Sequence, residues 1–219
     1  MTRVLLVGGT GLVGQHVIQA LVGEPNIALH CLVRAESSKV PASVTEHVAP
    51  VEAWPKLIAD VRPDVAISCL GTTWKKSGKS EAAFRAVDHD LVLACASAAR
   101  ASGAIQMIAV SSVGASAKSR SFYLRTKGKT DDALNAMDFQ RVDILRPGLL
   151  VGERGGDRRI GERLGIALSP LTDLLMQGPL RSYRSTPAGK VGEAIAKLVS
   201  NGGQGRFIHE NDAIDRLAR

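Results

Sequence analysis

Aromatic side chains are scarce in this 219-residue chain, where phenylalanine, tyrosine and tryptophan together make up 4%. That scarcity, with no lysine or arginine run longer than two residues (Lys75–Lys76, Arg158–Arg159), argues against a nucleic-acid partner, because single-strand platforms need stacking rings beside clustered charge. Cysteine is rare as well: Cys31, Cys69 and Cys95 are odd in number, lie in apolar segments and form no Cys-x-x-Cys pair. A disulfide framework is therefore excluded, and three buried thiols in a reducing compartment are expected. The five histidines are dispersed, so no metal site is expected. No apolar run approaches the ~20 residues that cross a bilayer, and no signal peptide precedes the first apolar segment. These absences lead to the expectation of a cytoplasmic protein with no membrane partner.

What the chain has instead is valine, leucine, isoleucine and alanine, within 45% hydrophobic residues overall. That composition suits buried parallel strands covered by alanine-rich helices, and the length suits one domain over residues 1–219. Apolar runs at Val4–Val7, Ile27–Val33, Val44–Val48, Val65–Leu70, Ile105–Val110 and Val142–Leu145 read as six strands. Helical stretches separate them, which predicts an α/β fold: a doubly wound parallel sheet of the Rossmann type. The longest helical pattern covers Glu81–Ala101, with Phe84, Val87, Leu91, Cys95 and Ala98 as its buried stripe. Beyond Val151 the pattern weakens. A loop over 152–163, helices over 166–176 and 191–200 and a last strand at Arg206–His209 are expected, with 149–190 forming a small substrate-side extension.

The first strand runs directly into Gly8, Gly9, Thr10, Gly11, Leu12, Val13 and Gly14, and a helix begins there. A helix N-terminus reached through glycines offers backbone N–H groups and a positive dipole end to a phosphate. Both Gly8-x-x-Gly11-x-x-Gly14 and Gly9-x-Gly11-x-x-Gly14 satisfy the dinucleotide fingerprint. Arg34 ends the second strand, where a fold selective for the unphosphorylated cofactor carries an acidic residue that binds the ribose 2′-hydroxyl. Arginine there suits a 2′-phosphate, so NADP(H) is favoured and NAD(H) stays open through Glu36. The net charge of +7 is compatible with an anionic ligand. Leu70, Gly71 and Thr72 end the fourth strand and Arg146, Pro147 and Gly148 the sixth, both at the sheet edge where ligands bind.

Tyr123 and Lys127 stand four apart on an expected helix and share one face. A free phenol titrates at about pH 10, and an adjacent ammonium stabilises the phenolate, so the pair can act as an acid–base unit. Ser112, just past the fifth strand, can donate a hydrogen bond to a substrate oxygen as charge develops there. Ser111 is the alternative for that role.

With its "GGTGLVG", "SSVG", "YLRTK" and "RPG" stretches the chain resembles the short-chain dehydrogenase/reductase superfamily. The first glycine register and "CLGTT" look most like the extended and atypical branches, in particular the Tat-interactive-protein-like oxidoreductases. The resemblance implies that Tyr123 exchanges a proton with substrate, that Lys127 holds the nicotinamide ribose, that Ser112 orients the substrate and that Arg146, Pro147 and Gly148 border the nicotinamide. It also implies a possible homodimer. Asp88 in "AVDHD" departs from the asparagine of many members. Two functions follow: an NADP(H)-dependent oxidoreductase for a small carbonyl or alcohol, or an NADP(H)-binding sensor with little turnover. An acidic substrate could be met by Arg154, Arg158, Arg159, Arg163, Arg181 and Arg184.

Overall fold

In the computed structural model, residues 1–152 and 184–219 are described. Seven parallel strands form one sheet: β1 (Thr2–Val7), β2 (Ile27–Val33), β3 (Thr45–Val48), β4 (Val65–Ser68), β5 (Gln106–Val110), β6 (Arg141–Arg146) and, last in the chain, β9 (Gly205–Glu210). Their order is β3-β2-β1-β4-β5-β6-β9. The chain starts in the middle, winds outward to β3, then crosses back over β1 and winds outward the other way. The reversal between β1 and β4 leaves a crevice at the strands' C-terminal ends, as doubly wound sheets do. Two short strands, β7 (Leu150–Val151) and β8 (Thr186–Pro187), pair separately.

Alternate side chains divide the core in two. Val4, Leu6, Cys31, Ile67, Ile108 and Leu145 pack under α1 (Leu12–Leu21), α6 (Ala188–Ser200) and α7 (Asn211–Leu217). Leu5, Val7, Leu32, Met107 and Ile144 pack on the other face under α2 (Trp54–Val61), α4 (Val92–Ala101) and α5 (Phe122–Ala136). Burial on both faces explains why the strands read as continuous apolar runs. The thiols are held protonated by burial, Cys31 pushed up to about 11 and Cys69 and Cys95 to about 12.

One element departs from the sequence expectation. Helix 81–101 is not α-helical throughout: α3 (Glu81–Arg85) passes into a π-helical turn at Ala86–Leu91 before α4 begins. A π turn takes in an extra residue, so the inward face rotates. Asp88 and Val92 become buried where an unbroken α-helix would have buried Val87 and Leu91. The helix expected over 166–176 and the loop over 152–163 lie outside the described residues, and α7 was not anticipated.

A second polar group sits inside the sheet at its far end. The Asp143 carboxylate is fully buried and accepts hydrogen bonds from Gln106 Nε2 (2.9 Å), Arg141 Nε (2.6 Å) and Arg141 Nη2 (3.0 Å), with His209 Nε2 at 2.9 Å. Burial pushes this carboxyl up, but His209, Arg141 and Gln106 outweigh it and hold it below the ordinary aspartate value. A depressed carboxyl stabilises the fold above its unfolded-state pKa, and that contribution is lost as pH falls through the lower folded value. Asp143→Asn is therefore expected to cost about 3 kcal/mol in urea unfolding at pH 7. The deficit should shrink below about pH 4, where the unfolded-state carboxyl protonates. An unchanged deficit at pH 3 would contradict the assignment.

Candidate active site

The glycine turn is built by close approach rather than by flexibility. Gly8 has φ +84°, and a Cβ there would stand 2.6 Å from the Cys69 carbonyl carbon and oxygen. A Cβ on Gly14 would fall 2.2 Å from the Gly8 carbonyl oxygen, and one on Gly9 would fall 2.4 Å from Cys31 Sγ. The two sequence registers are thus both used, because all three positions are sterically closed to a side chain. Gly11 differs. Its backbone is extended (φ −77°, ψ 171°), it is exposed, and a Cβ would meet only the Gly8 oxygen at 3.2 Å. Its N–H donates to that same oxygen at 3.0 Å. Gly11 is the N-cap of α1, and no side chain caps the first turn, which leaves the N-terminal N–H groups of Leu12 and Val13 directed at the crevice. Thr10 shapes the turn through its carbonyl, which accepts from Gln15 Nε2 at 3.1 Å. With the space above Gly11 left open and the helix N–H groups free of a side-chain cap, these residues fit the phosphates of a dinucleotide.

Arg34 follows β2, two residues beyond the Val7–Leu32 register pair, and is therefore level with the glycine turn. It is exposed, and it has no ion pair among the described residues. Glu36 is equally exposed.

On the other side of the crevice, α5 begins at Ser121, whose hydroxyl accepts from Leu124 N, and it carries Tyr123, Lys127 and Asp131 at successive four-residue steps. Tyr123 is 40% exposed, its ring edge against Phe84 with centroids 5.6 Å apart. Lys127 is only 6% exposed and its Nζ lies 2.8 Å from Asp88 Oδ1, an ion pair in which Asp88 is 1% exposed. Asp88 Oδ2 accepts from the Thr72 backbone N–H at 2.7 Å, and the Asp88 carbonyl accepts from Thr130 Oγ1 at 2.9 Å. Burial alone would lower the Lys127 ammonium; Asp88, then Tyr123 and Asp131, raise it above the ordinary lysine value. Gly71 overlies the pair: a Cβ on it would stand 3.6 Å from Asp88 Oδ1 and 3.9 Å from Lys127 Nζ. Leu70, beside it, packs against the α2/α4/α5 core.

Asp131, 2% exposed, is held by Arg146 at the end of β6, with Nε at 2.9 Å and Nη2 at 2.8 Å. Burial drives its carboxyl above the ordinary value, although Ser111, Arg146 and Lys127 pull against it. Ser111 and Ser112 part company here. Ser111 is buried with its hydroxyl against the Asp131 carboxylate, whereas Ser112 is half-buried and donates to the Val113 carbonyl at 3.3 Å. Pro147 accepts from Val113 N at 3.0 Å, and Gly148 N donates to Thr186 Oγ1 at 3.0 Å, so the turn after β6 is tied both to the end of β5 and to β8. Tyr123, Lys127, Gly71 and the turn after β6 are therefore gathered on one sheet edge with the glycine turn. Asp131 and Thr186 escaped the sequence reading; the repeated four-residue step Tyr123, Lys127, Asp131 was the available signal for the first. Arg154, Arg158, Arg159, Arg163 and Arg181, expected to meet an acidic substrate, lie outside the described residues.

Residues 38–175 match the model of the HIM1 family. The chain is 36% identical over 166 residues to a protein of Emericella nidulans named "Protein fmp52, mitochondrial", covering 72% of this chain and 71% of that one. Among solved structures, the Thermus thermophilus UDP-glucose 4-epimerase in complex with NAD superposes with a TM-score of 0.72 at 18% identity, over 99% of this chain and 81% of that one. A putative NAD-dependent epimerase/dehydratase from Bacillus halodurans gives a TM-score of 0.71 at 20% identity, over 100% and 99%. The chain belongs to the HIM1 family, and the likenesses to solved structures establish the Rossmann-like α/β fold, as expected. The narrower resemblance finds no counterpart in these names, which are not those of Tat-interactive-protein-like oxidoreductases. The expectation of a cytoplasmic protein is overturned: the fungal relatives are named as mitochondrial proteins.

The contrast between Gly11 and Gly14 gives a direct check. Gly11→Ala should unfold within about 1 kcal/mol of wild type while weakening NADPH at least tenfold in a fluorescence titration. Gly14→Ala, with its Cβ against backbone, should lose about 3 kcal/mol or more of stability. If Gly11→Ala bound NADPH as well as wild type, the turn would not be the phosphate site.

Proposed function

Because the chain belongs to the HIM1 family and has the short-chain dehydrogenase/reductase fold, we propose that it is an NADP(H)-dependent oxidoreductase acting on a small carbonyl or alcohol. The observation that carries this reading is the buried Lys127 beneath Gly71, on the same helix face as the exposed Tyr123 and across the crevice from the open N-terminus of α1. A dinucleotide lying along that crevice would set its pyrophosphate on Gly11, Leu12 and Val13, its adenosine ribose beside Arg34, and its nicotinamide ribose over Lys127. When bound, it supplies or accepts the hydride.

The residues do the rest. The Tyr123 hydroxyl exchanges a proton with the substrate oxygen, and Lys127 steadies the phenol's charge. Ser112, or Ser111 as the alternative, donates to that oxygen as negative charge grows on it. Arg146 is committed to Asp131, so in this reading it shapes the nicotinamide wall and does not bind an anion itself. The likeness to NAD-bound structures supports a nicotinamide dinucleotide in general. The choice of the phosphorylated form rests on Arg34, and the resemblance to Tat-interactive-protein-like oxidoreductases on the motifs that carry it.

Two measurements test the proposal. Arg34→Ala should weaken NADPH by roughly tenfold and leave NADH nearly unchanged, since a charge-assisted pair to phosphate is worth about 1.5–3 kcal/mol. Tighter binding of NADH than NADPH by wild type would remove the Arg34 argument. In a screen of carbonyl substrates followed by NADPH oxidation, Tyr123→Phe should reduce turnover by at least about a hundredfold. Tight NADPH binding with no turnover on any carbonyl would instead assign the protein as a sensor.

A further inference from the structure

The sheet edge opposite β9 is held by a contact between two histidines. β3 pairs only with β2 among the described residues, and none of its residues is buried, so little apolar packing keeps it in place. Across that pairing His30 of β2 and His47 of β3 meet ring to ring: Nδ1 of the first lies 3.1 Å from Nε2 of the second, with centroids 5.3 Å apart and planes 25° from parallel. The His47 end of β3 also supports the crevice. Ala49 N, just past the strand, donates to the Val33 carbonyl at 3.0 Å, and Val33 directly precedes Arg34.

A hydrogen bond between two imidazoles has room for one hydrogen. One ring must donate and the other must offer a lone pair, a condition met when both rings are neutral and still met when one of them is charged. A second proton removes the lone pair and sets two cations face to face. The two protons therefore belong to the pair and not to either ring.

The surroundings add positive charge. Arg3 of β1 stands on the same face of the sheet, its own partner being Asp64, with Oδ2 3.7 Å from Nε. α2, which covers this face, holds Lys56 and Asp60 at exposed positions, and Glu52 before it is exposed as well; Glu46 lies on the opposite face, beside Cys31. Burial, then His47, then Arg3 hold His30 below the ordinary histidine value of about 6.5. A lowered histidine stabilises the closed contact above its open-state value, and that contribution is lost as pH falls from about 6.5 toward the lower closed-state value.

We propose that the His30–His47 pair is an acid-sensitive latch on the sheet edge: while the rings share a hydrogen the end of β3 stays on β2, and when both are charged they part, the end of β3 lifts, and Val33 loses the Ala49 bond beside Arg34. The opening is local, because β2, β1, β4, β5, β6 and β9 pair in succession without β3. The latch itself stands apart from the oxidoreductase reading. Its consequence for a cofactor, a looser adenosine end at Arg34 in acid, rests on that reading.

Amide hydrogen exchange of the full chain reads the latch directly. The reporter is the Ala49 N–H, and Ile108, fully buried in the central strand β5, is the reference. Between pH 7 and pH 5 the protection factor of Ala49, corrected for the intrinsic pH dependence of exchange, should fall about tenfold or more, while that of Ile108 stays within about twofold. In His30→Asn/His47→Gln the side-chain amides take the places of Nδ1 and Nε2, the hydrogen bond survives and neither residue titrates, so Ala49 should keep its protection. His47→Gln alone leaves one proton to take up and should behave likewise; it serves where the double variant folds poorly. An Ala49 amide that stays protected at pH 5 in wild type, or that loses protection equally in the variants, overturns the latch. NADP+ binding is followed by calorimetry on the same proteins. At pH 5 wild type should bind several-fold more weakly than His47→Gln, a comparison in which titration of the nucleotide's own phosphate cancels. Equal affinities there overturn the link to Arg34, whereas no binding by any of the proteins at pH 7 rejects the cofactor reading and leaves the exchange result to decide the latch.

Discussion

Buried charge is tolerated in a parallel sheet only when each ion finds its partner at contact distance, and in this protein that constraint decides where the chemistry can sit. Desolvating a carboxylate or an ammonium costs several kcal/mol, and the loss is recovered only by a close, well-hydrogen-bonded counter-charge. Asp143 meets the condition on the α1/α6 side through Arg141, Gln106 and His209, where it joins β5, β6 and β9. Asp88 and Asp131 meet it on the opposite side through Lys127 and Arg146. The two clusters have the same construction and different surroundings. The first lies under a helix that closes over it, and Gln106 also donates to the Leu198 carbonyl of that helix at 3.0 Å. The second lies under Gly71, where the absence of a side chain leaves it open to the crevice. A buried ion pair that faces an opening is in a position to act on a ligand. One sealed beneath a helix can only hold the fold.

The glycine turn completes the opening by the opposite physical route. Three of its glycines are closed to a Cβ, Gly8 by the backbone after β4, Gly9 by Cys31 of β2 and Gly14 by the Gly8 and Gly9 backbone, whereas a Cβ on the fourth, Gly11, would meet only the Gly8 oxygen. Close packing beneath and vacancy above are both needed: the first aims the helix N-terminus, and the second lets an anion reach it. The crevice is thus bounded on one side by uncompensated N–H groups and on the other by compensated side-chain charges. The glycine side is thus the one that attracts an anion, while the Lys127 side presents balanced charges.

Much of this was legible in the residues because the relevant signals are local. Strand runs bounded by turn residues marked β1–β6, and the glycine spacing together with the Tyr123–Lys127 step marked residues that the fold brings to one sheet edge. What was illegible depended on partners distant in the chain or on a change of helical period. Gln106, Asp143 and His209 are separated by tens of residues, and nothing in their immediate surroundings announces that they meet. The stripe Phe84, Val87, Leu91 assumed an unbroken period of 3.6, and the π turn moved burial to Asp88 and Val92. A buried aspartate within an apolar stripe looks like an error in that reading, whereas with the wider turn it is the reason for the turn. π turns commonly mark functional positions because the poorer backbone geometry must be offset by what the displaced residue does. Here that residue pairs with the site lysine.

The scarcity of aromatic rings acquires a meaning at the same place. Trp74, Phe84, Phe122 and Tyr123 are half of the chain's eight aromatic residues, and they form one cluster, Phe84 touching both Phe122 and Tyr123 at centroid distances of 5.7 and 5.6 Å and Trp74 reaching Phe122 at 5.9 Å. Aromatic edges and faces fix relative orientation better than aliphatic side chains, since their quadrupoles favour tilted contacts. Tyr123 gains more from such a fix than a core residue does, because it is 40% exposed and sits in the first turn of its helix. Elsewhere the sheet packs with valine, leucine and isoleucine, where volume and not direction matters. Rings are concentrated around Tyr123, and Lys127, one turn further along the same helix, meets Asp88 of the π turn beside them.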